Sequence, residues 1–268
     1  MSQNPLTMAL LLGALPMAAF AAGESTALET AGTMASGVYH LEKDLQGDLT
    51  ILDGATVSID LRGHDIQGIG KGSVITIEVG GKLTLTDSNT DRIRYGRWID
   101  NSYTLNSTQQ EGDDLLIGGC IMGGINGVYN CGTFLMQGCN IVSNIATRGG
   151  GLFNMDGTVI LDGTSVIGNT VKQYGGGIYN VGEYYRSAVT IKNTNVSGNT
   201  AGWNGGGIYN YSSHPGKAVL SISGTSKIKG NICGEEYQSG GLSSCITSRR
   251  KRSTTSLLPP PCPRAILF

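Results

Sequence analysis

Apolar and polar residues alternate in short stretches along most of the chain, which is the pattern of a strand with one buried face. Four stretches in the C-terminal half carry equivalent apolar pairs: Phe134 and Met136, Val159 and Leu161, Val189 and Ile191, and Leu220 and Ile222. Further short strands are predicted between Leu49 and Leu85, separated by Asp-Gly, Arg-Gly and Gly-Gly turns. Since these stretches lack the apolar spacing of a helix, the pattern predicts an all-β protein.

The strands belong to an internal repeat of about 25 residues. Its most regular part is a block similar to Gly-Gly-Gly-Ile-Tyr-Asn, which occurs at residues 126–130, 149–154, 175–180 and 205–210. A second motif, aliphatic-x-x-Asn, lies between the blocks and ends at Asn144, Asn169, Asn199 and Asn231. The chain from this motif to the next block has a nearly constant length, whereas the segment after each block grows along the chain.

A repeat of this length has no room for two ordinary helices, and one coil of strands cannot bury its own aliphatic side. Stacked coils can bury it, because each coil forms hydrogen bonds with the coils above and below. The repeat therefore predicts a parallel β-solenoid. Its glycines are expected to provide turn conformations closed to residues with a Cβ atom. Its recurring asparagines are expected to adopt positive φ at the corners and to form stacked amide ladders.

The glycine-rich blocks, alternating with aliphatic-x-x-Asn-Thr, resemble the repeats of polymorphic outer-membrane proteins. The runs Ser36–Leu41 and Val57–Ile66 are similar to the opening coils of bacterial cell-surface β-helix proteins. The resemblance covers about residues 36–244, and it implies a right-handed parallel β-helix with an adhesive role at a cell surface. The chain departs from the family at the aliphatic-x-x-Asn sites, which lack the usual Phe.

Composition divides the chain into segments with different expected roles. Residues 1–21 are predicted as a signal peptide, because an apolar run from Leu6 to Phe20 ends in the small-x-small site Ala19-Phe20-Ala21. Since no Lys or Arg precedes this run, a buried N-terminal helix is the alternative. We expect an exported protein, extracellular or at the cell surface, with no transmembrane segment in the mature chain.

The mature chain is predicted to begin with a linker at 22–36, followed by the β-helix at 37–244, with clear repeats at 118–244. The polar and aromatic stretch at about 90–112 is expected to be an inserted hairpin or loop that leaves the coil wall. The repeat breaks down near Cys245, so residues 245–268 are predicted as an irregular tail, either disordered or the altered end of a truncated protein.

Glycine supplies 42 of the 268 residues, whereas aromatic residues make up 6% and charged residues 15%. Such a composition favours many tight turns around a thin aliphatic core. The net charge of −1 gives no electrostatic basis for nucleic-acid binding. The six cysteines form no C-x-x-C pair and have no neighbouring histidine, so we expect structural or free thiols and neither a metal nor a cofactor. Cys139 occupies the position of Thr164 and Thr194 and is expected to fill space.

The carboxylates do not form the pattern expected of a glycoside-cleaving enzyme. Such an enzyme needs paired carboxylates about 5–10 Å apart, which a solenoid would place at equivalent positions of adjacent coils. Asp162 instead aligns with Gln137 and Lys192, and the adjacent acids Asp113 and Asp114 are expected to be solvated in a loop. We therefore predict no catalytic residues and a non-enzymatic protein. A polysaccharide lyase or glycoside hydrolase on the same scaffold is the alternative.

The residues just before the glycine runs do not repeat, and they are Arg148, Tyr174, and Trp203 with Asn204. Coils stacked in register would align them in a vertical ladder along one corner. Flat aromatic rings beside Arg and Asn suit the docking of sugar rings or of a partner's side chains. The alternative is ordinary filling of a corner beside glycine.

The loops that lengthen from coil to coil predict a second exposed surface. One loop carries Tyr184 and Tyr185, and the next carries His214. Loops held by a rigid scaffold are where binding sites usually lie. We therefore predict a secreted or cell-surface β-helix protein that binds glycans or partner surfaces. A structural stalk from a truncated longer surface protein is a further alternative.

Overall fold

The computed structural model describes residues 25–100, 102–214 and 217–234, together with the backbone of residues 246–250. The predicted signal peptide and the part of the predicted tail beyond residue 250 lie outside these described residues. Within them the chain contains strands and no helix. Strand pairing is parallel everywhere except in the insertion. The predicted all-β parallel β-helix is confirmed.

Four parallel sheets form the walls of the coil stack. Sheet A contains β1 (Thr26–Ala27), β3 (Gly37–His40), β6 (Thr56–Asp60), β9 (Lys82–Thr86), β15 (Thr133–Gln137), β19 (Thr158–Asp162), β23 (Ser187–Lys192) and β27 (Ala218–Ser223). Sheet B contains β2 (Gly32–Met34), β5 (Leu49–Ile51), β8 (Ile75–Ile77), β14 (Val128–Asn130), β18 (Leu152–Met155), β22 (Ile178–Gly182), β26 (Ile208–Ser212) and β30 (Ile246–Arg250). Sheet C contains β4 (Leu45–Gln46), β7 (Ile66–Gln67), β13 (Cys120–Met122), β16 (Asn140–Val142), β20 (Ser165–Ile167), β24 (Asn195–Ser197) and β28 (Lys227–Lys229). The short sheet D contains β17 (Ile145–Arg148), β21 (Thr170–Tyr174), β25 (Thr200–Ala201) and β29 (Ile232–Cys233).

Each coil runs through sheets B, A and C in turn, and from β17 onward it also adds a strand to sheet D before it returns to sheet B. Strands β1 and β2 lie in the segment predicted as a linker. Strand β30 lies in the segment predicted as a tail, and it pairs in parallel with β26. The described coil stack therefore runs from β1 to β30.

The interior is filled by rows of aliphatic side chains that stack from coil to coil. The equivalent apolar positions recognised in the sequence pair directly, so that Phe134, Val159 and Val189 form one buried row of sheet A. Sheet B adds a similar row, in which Leu152 pairs with Ile178. Burial of each such side chain contributes about 1.5–3 kcal/mol. The rows weaken at β27, where Leu220 is only partly buried and Ile222 is 45% exposed.

Two ladders of asparagine amides run along the stack, as the recurring asparagines predicted. The first amide ladder, within the sheet B strands, consists of Asn130, Asn154, Asn180 and Asn210, whose side chains are joined by hydrogen bonds of 2.7, 2.9 and 2.7 Å. The second amide ladder, after the sheet C strands, consists of Asn144, Asn169, Asn199 and Asn231, joined by bonds of 3.0, 3.0 and 2.9 Å. In each ladder the first three amides donate to the carboxamide oxygen of the next coil, and the last donates to a backbone carbonyl.

The expected positive φ does not fall on these ladder asparagines. In the second ladder it falls on the preceding residue, which is Ser143 at 56°, Gly168 at 67°, Gly198 at 60° or Gly230 at 60°. That residue makes the turn in the backbone. The asparagine that follows is then oriented with its amide toward the interior, where it satisfies backbone groups of two coils.

In the glycine triplets only the first glycine needs an unusual backbone conformation. In the block at 149–151, Gly149 has a φ of 60°. Gly151 is required for space, since a Cβ atom there would lie 2.7 Å from the backbone oxygen of Gly177 in the next coil. The triplet thus allows adjacent coils to approach closely at the corner between sheets D and B.

The insertion forms an antiparallel sheet of β10 (Ile93–Ile99), β11 (Ser102–Asn106) and β12 (Asp114–Ile117), in the spatial order β11-β10-β12. The predicted inserted hairpin is therefore present outside the coil sheets. It does not project away from the stack, because this inserted sheet packs back on the outer face of sheet C. Tyr103 and Leu116 join Val142 and Ile167 in one hydrophobic cluster. The indole nitrogen of Trp98 donates a hydrogen bond to the carbonyl of Gly198 (3.2 Å).

Candidate functional site

The residues before the glycine runs come together at the corner between sheets D and B, as the sequence predicted. Arg148 and Tyr174 end their strands and pair with each other after a shift in register, and Tyr174 forms an isolated parallel bridge with Asn204. We call Arg148, Tyr174, Trp203 and Asn204 the D–B corner. Arg148, Tyr174 and Trp203 are partly exposed, whereas Asn204 is buried.

Aromatic contacts determine the geometry of the D–B corner. The Trp203 ring meets the Tyr174 ring edge to face, with 5.1 Å between centroids. The Arg148 guanidinium lies over the same tyrosine ring at 5.9 Å, and its Nε donates to the Gln173 side chain at 2.6 Å. The corner thus presents a cation and two mutually perpendicular rings, which together suit a ring-shaped ligand that carries negative charge.

Tyr174 also packs on a layer of side chains that point outward from sheet B. We call Cys131, Phe153, Met155, Tyr179, Val181 and Tyr209 the outer B face; together they form one buried hydrophobic cluster. The Tyr174 ring stacks on that of Tyr209 at 4.7 Å, and the Phe153 and Tyr179 rings are 5.0 Å apart. Burial raises the pKa of Tyr179 above its usual value.

Sequence reasoning treated the tyrosine of each repeat block as scaffold and missed this layer. The alternation of side chains along a strand could have predicted it. Because Ile178 points inward, the next residue, Tyr179, must point outward. An outward aromatic residue in several successive coils produces a continuous apolar surface.

The predicted loop residues lie at the opposite ends of the sheet B strands. Tyr184 and Tyr185 are 51% and 53% exposed, and His214 is also exposed. The Asp156 carboxylate accepts hydrogen bonds from the backbone amides of residues 183 and 184, and the Lys217 ammonium donates to the carbonyl of Tyr184 at 2.8 Å. Hydrogen bonds therefore join the loops of adjacent coils.

Both predicted surfaces border the outer B face. The D–B corner lies before strands β22 and β26, and the loops follow them. A strand of five residues spans about 17 Å, so the two borders enclose a broad apolar surface.

A cluster of charged residues around Asp65 anchors the insertion. The buried Asp65 carboxylate accepts hydrogen bonds from Arg92 (3.0 Å) and Arg94 (2.7 Å). Asp44 accepts from Arg92 at 3.0 Å and lies 3.5 Å from the His64 ring. Partial burial opposes the charged form of Asp44, but the hydrogen bond and charge of Arg92, together with the hydrogen bonds from the Asp65 amide and His64, outweigh it and lower the pKa. This anchor is therefore present at neutral pH and weakens as the pH falls through the lowered pKa of Asp44.

The acidic residues that were weighed as catalytic candidates in the sequence also form ion pairs or hydrogen bonds. Asp162 forms an ion pair with Lys192 at 3.0 Å. The expectation that Asp113 and Asp114 are solvated is wrong. The Asp113 side chain is only 3% exposed and pairs with Arg97 at 2.8 Å, and Asp114 accepts a hydrogen bond from the Tyr103 hydroxyl at 3.0 Å. Both carboxylates are held by residues of the inserted sheet, to which Asp114 itself belongs.

The free thiols in the described part of the chain are Cys120, Cys139 and Cys233, and the first two are buried. Cys139 fills the interior position that Thr164 occupies in the next coil, as predicted. Burial raises the pKa of Cys120 to about 12 and also raises that of Cys139.

In the native protein at pH 8, iodoacetamide is expected to alkylate Cys233 at least about tenfold faster than Cys120 or Cys139, because the thiolate is the reactive species. Quenched reactions followed by peptide mass spectrometry would measure the three rates. Equal rates in the folded protein would contradict the burial of these thiols, and equal rates in urea are the expected control.

In the described ranges, no three or more His, Cys, Asp and Glu side chains are grouped closely enough to hold a metal ion. A search of the same residues finds no helix that is long and apolar enough to cross a membrane. Comparison of the chain with models of known families, with curated proteins and with solved structures gives no match.

Proposed function

We propose that this protein is a non-enzymatic, secreted or cell-surface β-helix protein that binds acidic glycans at the D–B corner. The observation that carries the proposal is the partly exposed pair of Tyr174 and Trp203, set edge to face with Arg148 over the tyrosine. Aromatic faces pack against the apolar faces of sugar rings. A guanidinium beside them forms charge-assisted hydrogen bonds with a carboxylate or sulfate group.

The surroundings of the corner favour an anionic ligand over a neutral one. Lys172 is exposed two residues before Tyr174 in β21, so it adds a second positive charge on the same wall. Gln173 orients the Arg148 side chain by its 2.6 Å hydrogen bond. The repeats resemble those of surface adhesins, and the rigid coil stack holds the corner residues in a fixed ladder.

Replacement of both Tyr174 and Trp203 with alanine is expected to weaken acidic-glycan binding by about tenfold or more, since each ring contact contributes about 0.5–1.5 kcal/mol. Binding is measured by an array of acidic and neutral oligosaccharides, followed by calorimetry with the strongest ligand. A matched control removes the same two residue types from the inserted sheet, in the double variant Tyr95→Ala and Trp98→Ala.

The control variant is expected to bind as the wild type does. Loss of binding in both variants, or no binding of the wild-type protein to any oligosaccharide, would overturn the proposal. Shortened products after incubation with the same oligosaccharides would instead support the alternative of a lyase or hydrolase. Lys172→Ala is expected to weaken the binding of acidic oligosaccharides and to leave the binding of neutral oligosaccharides unchanged.

A further inference from the structure

Three side chains of the D–B corner lie in three successive coils. Arg148 ends β17, Tyr174 ends β21 in the next coil, and Trp203 follows β25 in the third. The Arg148 guanidinium lies 5.9 Å from the centre of the Tyr174 ring, and that ring lies 5.1 Å from the Trp203 ring. Both distances are close to the spacing of adjacent strands, which is about 4.8 Å. The corner therefore presents one such side chain per coil, and we call these three residues the rungs.

The spacing of the rungs suits a sugar chain better than a single sugar. One pyranose unit of an extended polysaccharide advances its chain by nearly the distance that separates two coils. A single ring therefore contacts one rung or bridges two, whereas a chain that runs along the coil axis contacts all three. A chain that runs around a coil would meet only one rung, because the other two lie in other coils.

Sheet D forms a floor of small and polar side chains beside the rungs. Val171 and Ala201 point into a buried cluster, so their neighbours along the chain point outward. These outward neighbours, all exposed or partly exposed, are Thr170, Lys172, Thr200 and Gly202. Threonine hydroxyls can both donate to and accept from the hydroxyl groups of a sugar. Since glycine adds no side chain, the floor also leaves room for a ring beside Trp203.

In the described part of the chain, this floor is open at the end where Arg148 lies. Strand β17 is the first strand of sheet D, and the coil before it passes from β13 to β14 without adding a strand to that sheet. Gly123, in that connection, is exposed and carries no side chain. A bound chain can therefore continue past Arg148, so the site does not require the end of a glycan.

The positive charges lie on the first two of the three coils. Arg148 is held by its hydrogen bond to Gln173, and Lys172 is exposed in the next coil. In the third coil Gly202 takes the place equivalent to Lys172, since its amide donates to the Val171 carbonyl at 3.0 Å. The acidic group of a ligand is therefore favoured at the Arg148 end, and the apolar face of a sugar is favoured at the Trp203 end.

We infer that the D–B corner binds a linear acidic polysaccharide lengthwise, with one sugar unit against each rung. An acidic unit lies at Arg148, and the units that follow it pack on Tyr174 and Trp203. The ligand is then a linear chain of uronic or sulfated sugars rather than a branched glycan whose single acid is terminal. This inference rests on the proposed glycan binding, and it adds the direction of the ligand and its minimum length.

Calorimetry with size-defined oligomers of a linear uronate tests this alignment. Affinity is expected to rise by about two- to tenfold with each unit from one to three, because each unit adds one rung. The same rise is expected with linear sulfated oligosaccharides, and comparison of the two series shows which acid binds more tightly. Equal affinity for one unit and for three would overturn the alignment and leave glycan binding intact. So would a branched glycan with one terminal acid that binds as tightly as the trimer.

Absence of binding to every oligosaccharide would overturn both the alignment and the proposed function. Variants locate the units on the rungs. Trp203→Ala is expected to remove the gain between two and three units and to leave the affinity for two nearly unchanged. Arg148→Ala is expected to weaken acidic oligomers of every length by about tenfold. A full gain at the third unit in Trp203→Ala would overturn the placement.

Tryptophan fluorescence gives a second readout that does not depend on affinity. The chain has two tryptophans, so in the variant Trp98→Phe the emission comes from Trp203 alone. This variant changes only the inserted sheet, and it is expected to bind as the wild type does. Its emission is expected to shift when the trimer binds and to stay unchanged with saturating single sugar. A trimer that binds without a shift would contradict the contact with Trp203 and overturn the alignment.

Discussion

Replacing Asn169 with alanine is expected to lower the free energy of unfolding by about 4 kcal/mol or more. Its buried side-chain nitrogen donates to the carbonyls of Ile141 and Ile167 at 3.1 Å each, and to the Asn199 side chain at 3.0 Å. Its oxygen accepts from the backbone and side-chain nitrogens of Asn144 at 3.0 Å. Alanine removes these bonds together, and each buried group left without a partner costs about 1–3 kcal/mol.

Urea unfolding followed by circular dichroism would measure this loss. Asn169→Asp keeps the volume of the side chain but removes its donors, so it separates lost hydrogen bonds from a new cavity, and it is expected to be at least as destabilising as alanine. Asn231→Ala, at the last described position of the second amide ladder, should have a smaller effect. Asn89→Ala on the exposed surface should change stability by less than about 0.5 kcal/mol. Similar values for Asn169→Ala and Asn89→Ala would contradict the ladder as a source of stability.

Replacing Gly168 with alanine is expected to destabilise the protein by about 3 kcal/mol and to loosen the inserted sheet. Two effects add. At a φ of 67° an L-residue is disfavoured by about 1–2 kcal/mol, and the new methyl group would collide with the Tyr103 ring, which packs against this glycine. Overpacking of this kind costs about 1–3 kcal/mol more. Fluorescence of Trp98, whose ring contacts Tyr103 at 5.7 Å, reports on the inserted sheet itself.

Gly163 is a matched control, since its φ is 63° and a Cβ atom there has no neighbour within 4 Å. Gly163→Ala should therefore show the backbone effect alone and leave the fluorescence unchanged. In a double-mutant cycle, Tyr103→Ala should remove most of the extra loss caused by Gly168→Ala. If Gly163→Ala and Gly168→Ala cost the same, the inserted sheet does not pack on sheet C as described.

The coil architecture was predictable from the sequence because its causes are local and recur in each repeat. Apolar residues two apart, such as Phe134 and Met136, determine which side of a strand points inward. The ladder asparagines recur at the same place in each coil, so stacking in register brings their amides together. The D–B corner followed from the same reasoning, since Arg148 and Tyr174 precede equivalent blocks. Whether that corner binds glycans stays a prediction.

The insertion and the outer B face were not predictable in this way. Tyr103 packs on Gly168 and Trp98 reaches Gly198, but no period connects residues so distant in the chain. The sequence indicated a break in the repeat at 90–112, but not that its strands fold back on sheet C and bury Asp113.

The sequence by itself determined the parallel coil stack, the aliphatic interior and the two amide ladders, because each depends on a pattern repeated at short range. Only the tertiary structure decided what lies on the outside of the walls. The inserted sheet covers sheet C, and the outward block residues, such as Tyr179, join into the buried outer B face. These arrangements depend on contacts between segments that share no repeat. The burial that stabilises them requires complementary outer surfaces, and those surfaces exist only once the coils have stacked.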